Sequence, residues 1–143
     1  MSLSNVFSIA GSAMNAQSVR LNTTASNLAN AESISSSTGD TYRARKPVFE
    51  VRAPEAMQSF AAPGLEAGVG VHVAEVVESD APLRQEYSPN HPMADDNGFI
   101  YYPNVNVVEE MADMISASRS FQINADIMNT AKQMLQRTLQ LGQ

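Results

Sequence analysis

His91, Asp95 and Asp96 lie close together in the chain, and Glu78 with Asp80 forms a second acidic pair. Such side chains perform general acid–base catalysis when a cleft holds them and tunes their pKa values. A zinc site needs three or four donors, and the chain offers two histidines, His72 and His91, and no cysteine. The lack of Cys also excludes a disulfide framework, and it suits either side of an inner membrane. Asp95 and Asp96 run directly into Asn97-Gly98, and Asp80 into Ala81-Pro82, so these acids read as turn residues and solvated loop charge. A phosphate-binding glycine loop and a nucleophile motif are both missing. The expectation is a non-enzyme with no metal and no cofactor.

The 143 residues allow one domain, or one domain with a helical stalk. Fifteen acidic and nine basic residues give a net charge of −6 without a basic stripe. Phosphate backbones demand clustered Lys and Arg, so nucleic acid is not expected as a partner. Residues 1–31 carry a single basic group, Arg20, and no acid. Because no stretch approaches the ~20 apolar residues of a spanning helix, direct membrane insertion is not expected either. The N-terminus lacks a basic region followed by an apolar run, so any export is expected to proceed without a cleaved signal peptide.

All seven prolines fall between Pro47 and Pro103, which marks a non-helical centre between two helices. In the first segment, steps of four and three pick out Leu3, Phe7, Ala10, Met14, Gln17, Leu21, Thr24, Leu28 and Ala31, a heptad seam. A second stripe, Val6, Ile9, Ala13 and Ala16, widens the apolar surface. In the last segment Val107, Met111, Met114, Ser118, Phe121, Ala125, Met128, Lys132, Leu135 and Leu139 repeat the spacing. Asn106 and Glu109 have the spacing of a capping box, and Gly142 is the expected stop. In the centre Val69, Val71 and Val73 alternate with polar or small residues, Val48-Phe49-x-Val51 suggests a short strand, and Asn97-Gly98 precedes Phe99–Tyr102 as a hairpin signal. Residues 32–41 and 53–68 read as loops, mobile in the isolated chain.

The fold expected is therefore α+β: two long terminal helices packed as an antiparallel coiled-coil-like pair, with a small β-rich insert. Its divisions are residues 1–31, 32–103 and 104–143. Two helices cannot hide apolar stripes this wide from each other alone, and the first lacks the Lys and Arg face of a membrane-surface helix. Packing against neighbouring protein is the expected use. Lone helices are marginal in water, so the terminal helices are expected to be largely disordered in the free subunit.

Particular motifs sharpen this. Ser12-Ala13-Met14-Asn15-Ala16-Gln17, Arg20-Leu21 and Ala25-Ser26-Asn27-Leu28-Ala29-Asn30-Ala31 resemble the N-terminal motif of the flagellar rod and hook axial proteins. Pro103-Asn104-Val105-Asn106, Glu110-Met111 and Ala117-Ser118-Arg119-Ser120-Phe121-Gln122-Ile123-Asn124 resemble that family's C-terminal motif. The short length, Thr41-Tyr42-Arg43-Ala44, Ala81-Pro82, the segment Asn90–Gly98 and the closing Thr138–Gln143 are most similar to its short proximal-rod members. Asn106 stands where relatives commonly have Asp, and Phe121 where Tyr is usual. The Thr-Pro-Gly-Tyr turn of many relatives is absent.

The resemblance implies a structural subunit of the basal-body proximal rod, assembling helically to transmit torque and line the export channel. It implies passage unfolded through the type III export channel of the bacterial flagellum, into the periplasmic span of the rod. Implied partners are copies of itself, other flagellar rod proteins, and the MS ring and export gate proteins. Phe7, Ala10, Met14, Leu21, Asn27, Leu28 and Asn30 on the first helix become candidate subunit-interface residues. On the second helix the candidates are Val107, Met111, Met114, Arg119, Phe121, Asn124, Met128 and Leu135. Two alternatives stand beside this reading: another short rod subunit of the family, and a non-flagellar secreted helical adaptor.

Overall fold

The computed structural model describes residues 3–52 and 70–141. Along the chain run α1 (Leu3–Asn30), β1 (Arg45–Arg52), β2 (Gly70–Glu78), β3 (Arg84–Tyr87), β4 (Phe99–Tyr102) and α2 (Val107–Leu141). This is the α+β arrangement expected, with long terminal helices around small strand pairs. Val69, the stretch 53–68 and the stop at Gly142 lie outside the described residues. β1 pairs with β2, and β3 pairs with β4 antiparallel, Arg84 opposite Tyr102 and Tyr87 opposite Phe99.

The chain forms two compact units, Met1–Val19 with Val48–Glu75 and Ser116–Gln143, and Arg20–Pro47 with Val76–Ile115. In the first, α1 and α2 run antiparallel. Val6, Ile9 and Ala10 meet Asn124 and Ile127, whereas Leu3 and Val6 share a groove with Ala131 and Met134. Small side chains make the contact. Ala10 is 3% exposed and Ala117 0%, and Ala16 and Ala131 are buried with them. Small contact residues shorten the distance between helix axes. β2 docks on α1 through Ser12, whose Oγ donates to the Ile9 carbonyl at 2.8 Å and accepts from the Val71 N–H at 3.1 Å. A Cβ at Gly70 would stand 2.8 Å from that oxygen, so glycine is what lets the strand approach.

The seam read from the sequence faces inward along most of α1 and is displaced on α2. On α1 Ala10 and Thr24, and just past its end Ala31, are buried as expected, but Ala16 and Asn27 join them and Leu3 is exposed. On α2 the buried residues are Glu110, Ala117 and Ala131, none of them on the expected stripe, while Met111, Phe121, Leu135 and Leu139 are exposed. A four-three period gives equal weight to every residue on its stripe, whatever its size. Close approach of the backbones instead selects the smallest residues for the contact line.

In the second unit polar side chains tie segments together. The amide of Asn27, 1% exposed, donates to the Arg45 carbonyl at 2.8 Å. Its oxygen accepts from the Arg45 N–H and the Tyr42 hydroxyl, both at 2.9 Å. α1 thereby binds both backbone polar groups of one residue, Arg45, at the start of β1. Asn104, just ahead of α2, ties two further segments together: it accepts from the Ala44 N–H at 2.8 Å and donates to the Ser79 and Ala81 carbonyls at 3.2 and 2.9 Å. Arg20 and Asp113 join the two helices at 2.6 Å. The segment after α1 is well structured, since Ser35 exchanges two backbone hydrogen bonds with Tyr101, each 3.1 Å, and Thr41 donates to the Ser37 carbonyl at 2.7 Å.

Asn106 caps α2, accepting from the N–H groups of Val108 and Glu109 at 3.1 and 3.5 Å. Only that half of the capping box forms, because the Glu109 carboxylate turns to Lys46, 3.2 Å away. Asn30 closes α1 by donating to the Ser26 carbonyl at 2.8 Å. Strand β3 had no apolar alternation to announce it. Cross-strand rings hold it: Tyr87 meets Phe99 edge-on at 5.3 Å, and the Arg84 guanidinium lies 4.2 Å from the Tyr102 ring centre.

Candidate assembly surfaces

Of the residues that could do chemistry, Asp95, His91 and Glu78 are engaged in structure. Asp95 Oδ1 accepts from the N–H groups of Asn97 and Phe99 at 2.9 and 2.8 Å, and Oδ2 accepts from the Tyr101 hydroxyl at 3.3 Å. His91 Nδ1 accepts from the Met93 N–H at 3.1 Å. Glu78 pairs with Arg45 at 3.0 Å. The expected Asn-Gly turn is not a two-residue hairpin loop. It ends a longer connection between β3 and β4, with Gly98 in the left-handed region at φ 81°. Among the described residues no cluster of three or more metal-ligating side chains occurs. No helix among them is long and apolar enough to cross a membrane.

The Phe99 N–H does most to hold the Asp95 carboxyl below its ordinary 3.8; partial burial opposes it, and Asn97 and Tyr101 reinforce it. A carboxyl lowered on folding contributes stability above its unfolded pKa and loses it as pH falls through the folded value. The stability gap between the parent chain and Asp95→Asn is therefore expected to shrink below roughly pH 4. Denaturant titrations at neutral and acid pH measure it. A gap independent of pH would contradict this.

Apolar surface is where the molecule is unfinished. In the second unit Val108, Met111 and Ile115 recur at steps of three and four, and they are 76%, 51% and 56% exposed. This stripe lies on the side of α2 away from buried Glu110. In the first unit Leu3, Val6, Ile123, Ile127 and Met134 line a groove of about 390 Å³, with Asp126 and Thr130 among its lining residues. Uncovered apolar surface of this kind is the candidate contact surface. Arg119 is exposed and makes no hydrogen bond or ion pair among the described residues. The helical repeat sets it between Ile115 and Ile123.

Of the residues nominated from sequence, Ala10 and Asn27 are buried inside the chain itself. Phe7, Met14, Leu21, Leu28, Asn30, Val107, Met114, Asn124 and Met128 are half-buried, and Met111, Arg119, Phe121 and Leu135 are exposed. Val108, Ile115, Ile123, Ile127 and Met134 were missed. They share the spacing of three and four, but on sides of α2 that a single-seam reading discards.

Residues 7–32 match a family model described as "Flagella basal body rod protein", and residues 96–141 one described as "Flagellar basal body rod FlgEFG protein C-terminal". The class is that of flagellar rod proteins, a structural and not an enzymatic family. Flagellar basal-body rod protein FlgC of Salmonella typhimurium is 52% identical over 143 residues, and that of Escherichia coli O6:H1 51%, each match covering the whole of both chains. FlgC of Borreliella burgdorferi is 34% identical over 151 residues, covering all of this chain and 99% of the relative. The chain belongs to the FlgC family.

Proposed function

We propose that this chain is a structural subunit of the flagellar basal-body rod, in its proximal part, where it assembles helically with copies of itself and other rod proteins. Apolar surface left bare after the helix pair has closed its own seam supports this reading most. Heterologous packing of such surfaces gives open, helical association. Continuous helix packing along the rod resists twisting and so transmits torque around the export channel. MS ring and export gate proteins are the neighbours proposed at its base. The subunit travels unfolded through the flagellum-specific channel, uncleaved, to the periplasmic span of the rod. Electron cryomicroscopy of basal bodies, from a bacterium whose own homologue is replaced by this chain, tests the assignment. Density for the chain in the proximal rod is expected, and its absence from basal bodies of motile cells would refute the proposal.

In the free subunit, hydrogen exchange is expected to be fast in residues 4–19, whose groove is open, and slower in the polar-clipped residues 20–47. Strong protection of residues 4–19 in a verified monomer would contradict this. Arg119 is proposed to clamp a neighbouring carboxylate or backbone in a planar fork that lysine cannot reproduce. Arg119→Lys is then expected to impair rod assembly nearly as much as Arg119→Ala. Motility restored by Lys but not Ala would show that charge alone suffices.

A further inference from the structure

We propose that Asn97 is a deamidation site that folding closes and unfolding opens. Asn97 is the one asparagine of the sequence that precedes a glycine. In an open chain the Gly98 nitrogen gives up its proton to solvent base and attacks Asn97 Cγ. The Cγ–Nδ2 bond breaks, ammonia leaves, and a five-membered succinimide remains. Water opens that ring to aspartate or isoaspartate, so the net change is amide plus water to carboxylate plus ammonium. Glycine permits the step because no Cβ shields its nitrogen or restricts the backbone rotation that cyclisation needs.

The folded loop withholds each requirement. The Gly98 N–H donates to the Asp95 carbonyl at 2.9 Å, and the Gly98 carbonyl accepts from the Ser88 N–H at 2.9 Å. On either side, the Asn97 and Phe99 N–H groups are held by Asp95 Oδ1 at 2.9 and 2.8 Å. Gly98 is buried at φ 81°, and a Cβ there would meet Tyr87 Cε2 at 3.0 Å and Pro89 Cβ at 3.1 Å. The exposed Asn97 amide is thus open to water, but its nucleophile is hydrogen-bonded, packed and unable to rotate toward it. Reaction in the folded chain has to pass through a local opening of the turn.

The product also matters for refolding. Isoaspartate lengthens the backbone between residues 97 and 98, which the paired hydrogen bonds of Asp95 to Phe99 cannot accommodate. Aspartate adds a third negative charge beside Asp95 and Asp96. Damage incurred while unfolded should therefore weaken the β3–β4 pair after folding.

The test incubates the full chain in mildly alkaline buffer with and without guanidinium chloride, beside a synthetic peptide of residues 94–100. Peptide mass mapping and enzymatic isoaspartate methylation follow Asn97. Deamidation is expected to be roughly tenfold or more slower in the native chain than in the denatured chain or the peptide, the factor of an opening costing about 1.4 kcal/mol. Asp95→Ala should raise the native rate severalfold, and Gly98→Ala should slow the denatured one. Equal rates for native and denatured parent chain would overturn the closure, and no Asn97 product in denatured chain or peptide would overturn the site. The parent comparison decides the matter even if Asp95→Ala fails to fold.

Discussion

Ile115→Lys is expected to abolish rod assembly and swimming while leaving the unfolding midpoint of the isolated subunit unchanged. Ile115 is 56% exposed and belongs to the stripe with Val108 and Met111, so a charge there stays in water in the free chain. Exposed substitutions of this kind stay within about 0.5 kcal/mol of the parent. In an assembled rod the same ammonium would be taken out of water without a partner, at a cost of about 3–5 kcal/mol per contact. Helical assembly repeats that cost at every copy. Ile115→Leu keeps the apolar contact and is expected to assemble. Normal swimming with Ile115→Lys would mean that the stripe faces solvent in the rod and that the groove at Ile127 and Met134 has to be tested instead.

Asn27→Ala is expected to destabilise the subunit by about 3 kcal/mol, read as a lower midpoint in denaturant. Truncation strips partners from three groups at once: the Arg45 N–H, the Arg45 carbonyl and the Tyr42 hydroxyl. The site is too well buried for water to replace them. Asn27→Asp retains two acceptor contacts but turns a carboxylate oxygen toward the Arg45 carbonyl, and should be no less damaging. Asn30→Ala removes a single bond to the Ser26 carbonyl, near the end of α1, and should cost under about 1 kcal/mol. Equal losses for Asn27→Ala and Asn30→Ala would show that helix-end capping, not the clip on β1, is what both residues supply. The double variant is expected to impair assembly more than secretion, because the proposed unfolded passage does not use the clip.

Period and punctuation made the architecture legible without coordinates. Prolines confined to 47–103 bounded the helices, because proline removes a hydrogen bond and clashes wherever it falls in a helix interior. Valine alternation announced β2, and Asn106 announced the start of α2, each a local signal with a local cause. The two motifs that carry the family resemblance were likewise visible, although their role was not. Asn27 looked like a helix-end residue, and its partners at Tyr42 and Arg45 meet it only once the chain has turned back.

Tertiary packing decided which face of each helix turns inward. Apolar residues occupy several sides of α2, so hydrophobic period alone admits more than one seam. Steps of four and three from Val107 mark out one of them. Two backbones that approach closely have room for alanine along the contact line, and Ala10, Ala16, Ala117 and Ala131 fill it. Bulky Val108, Met111 and Ile115 are left outside, exposed on the subunit. Which side is core and which is left exposed is a property of the pair of helices, and no single helix carries it.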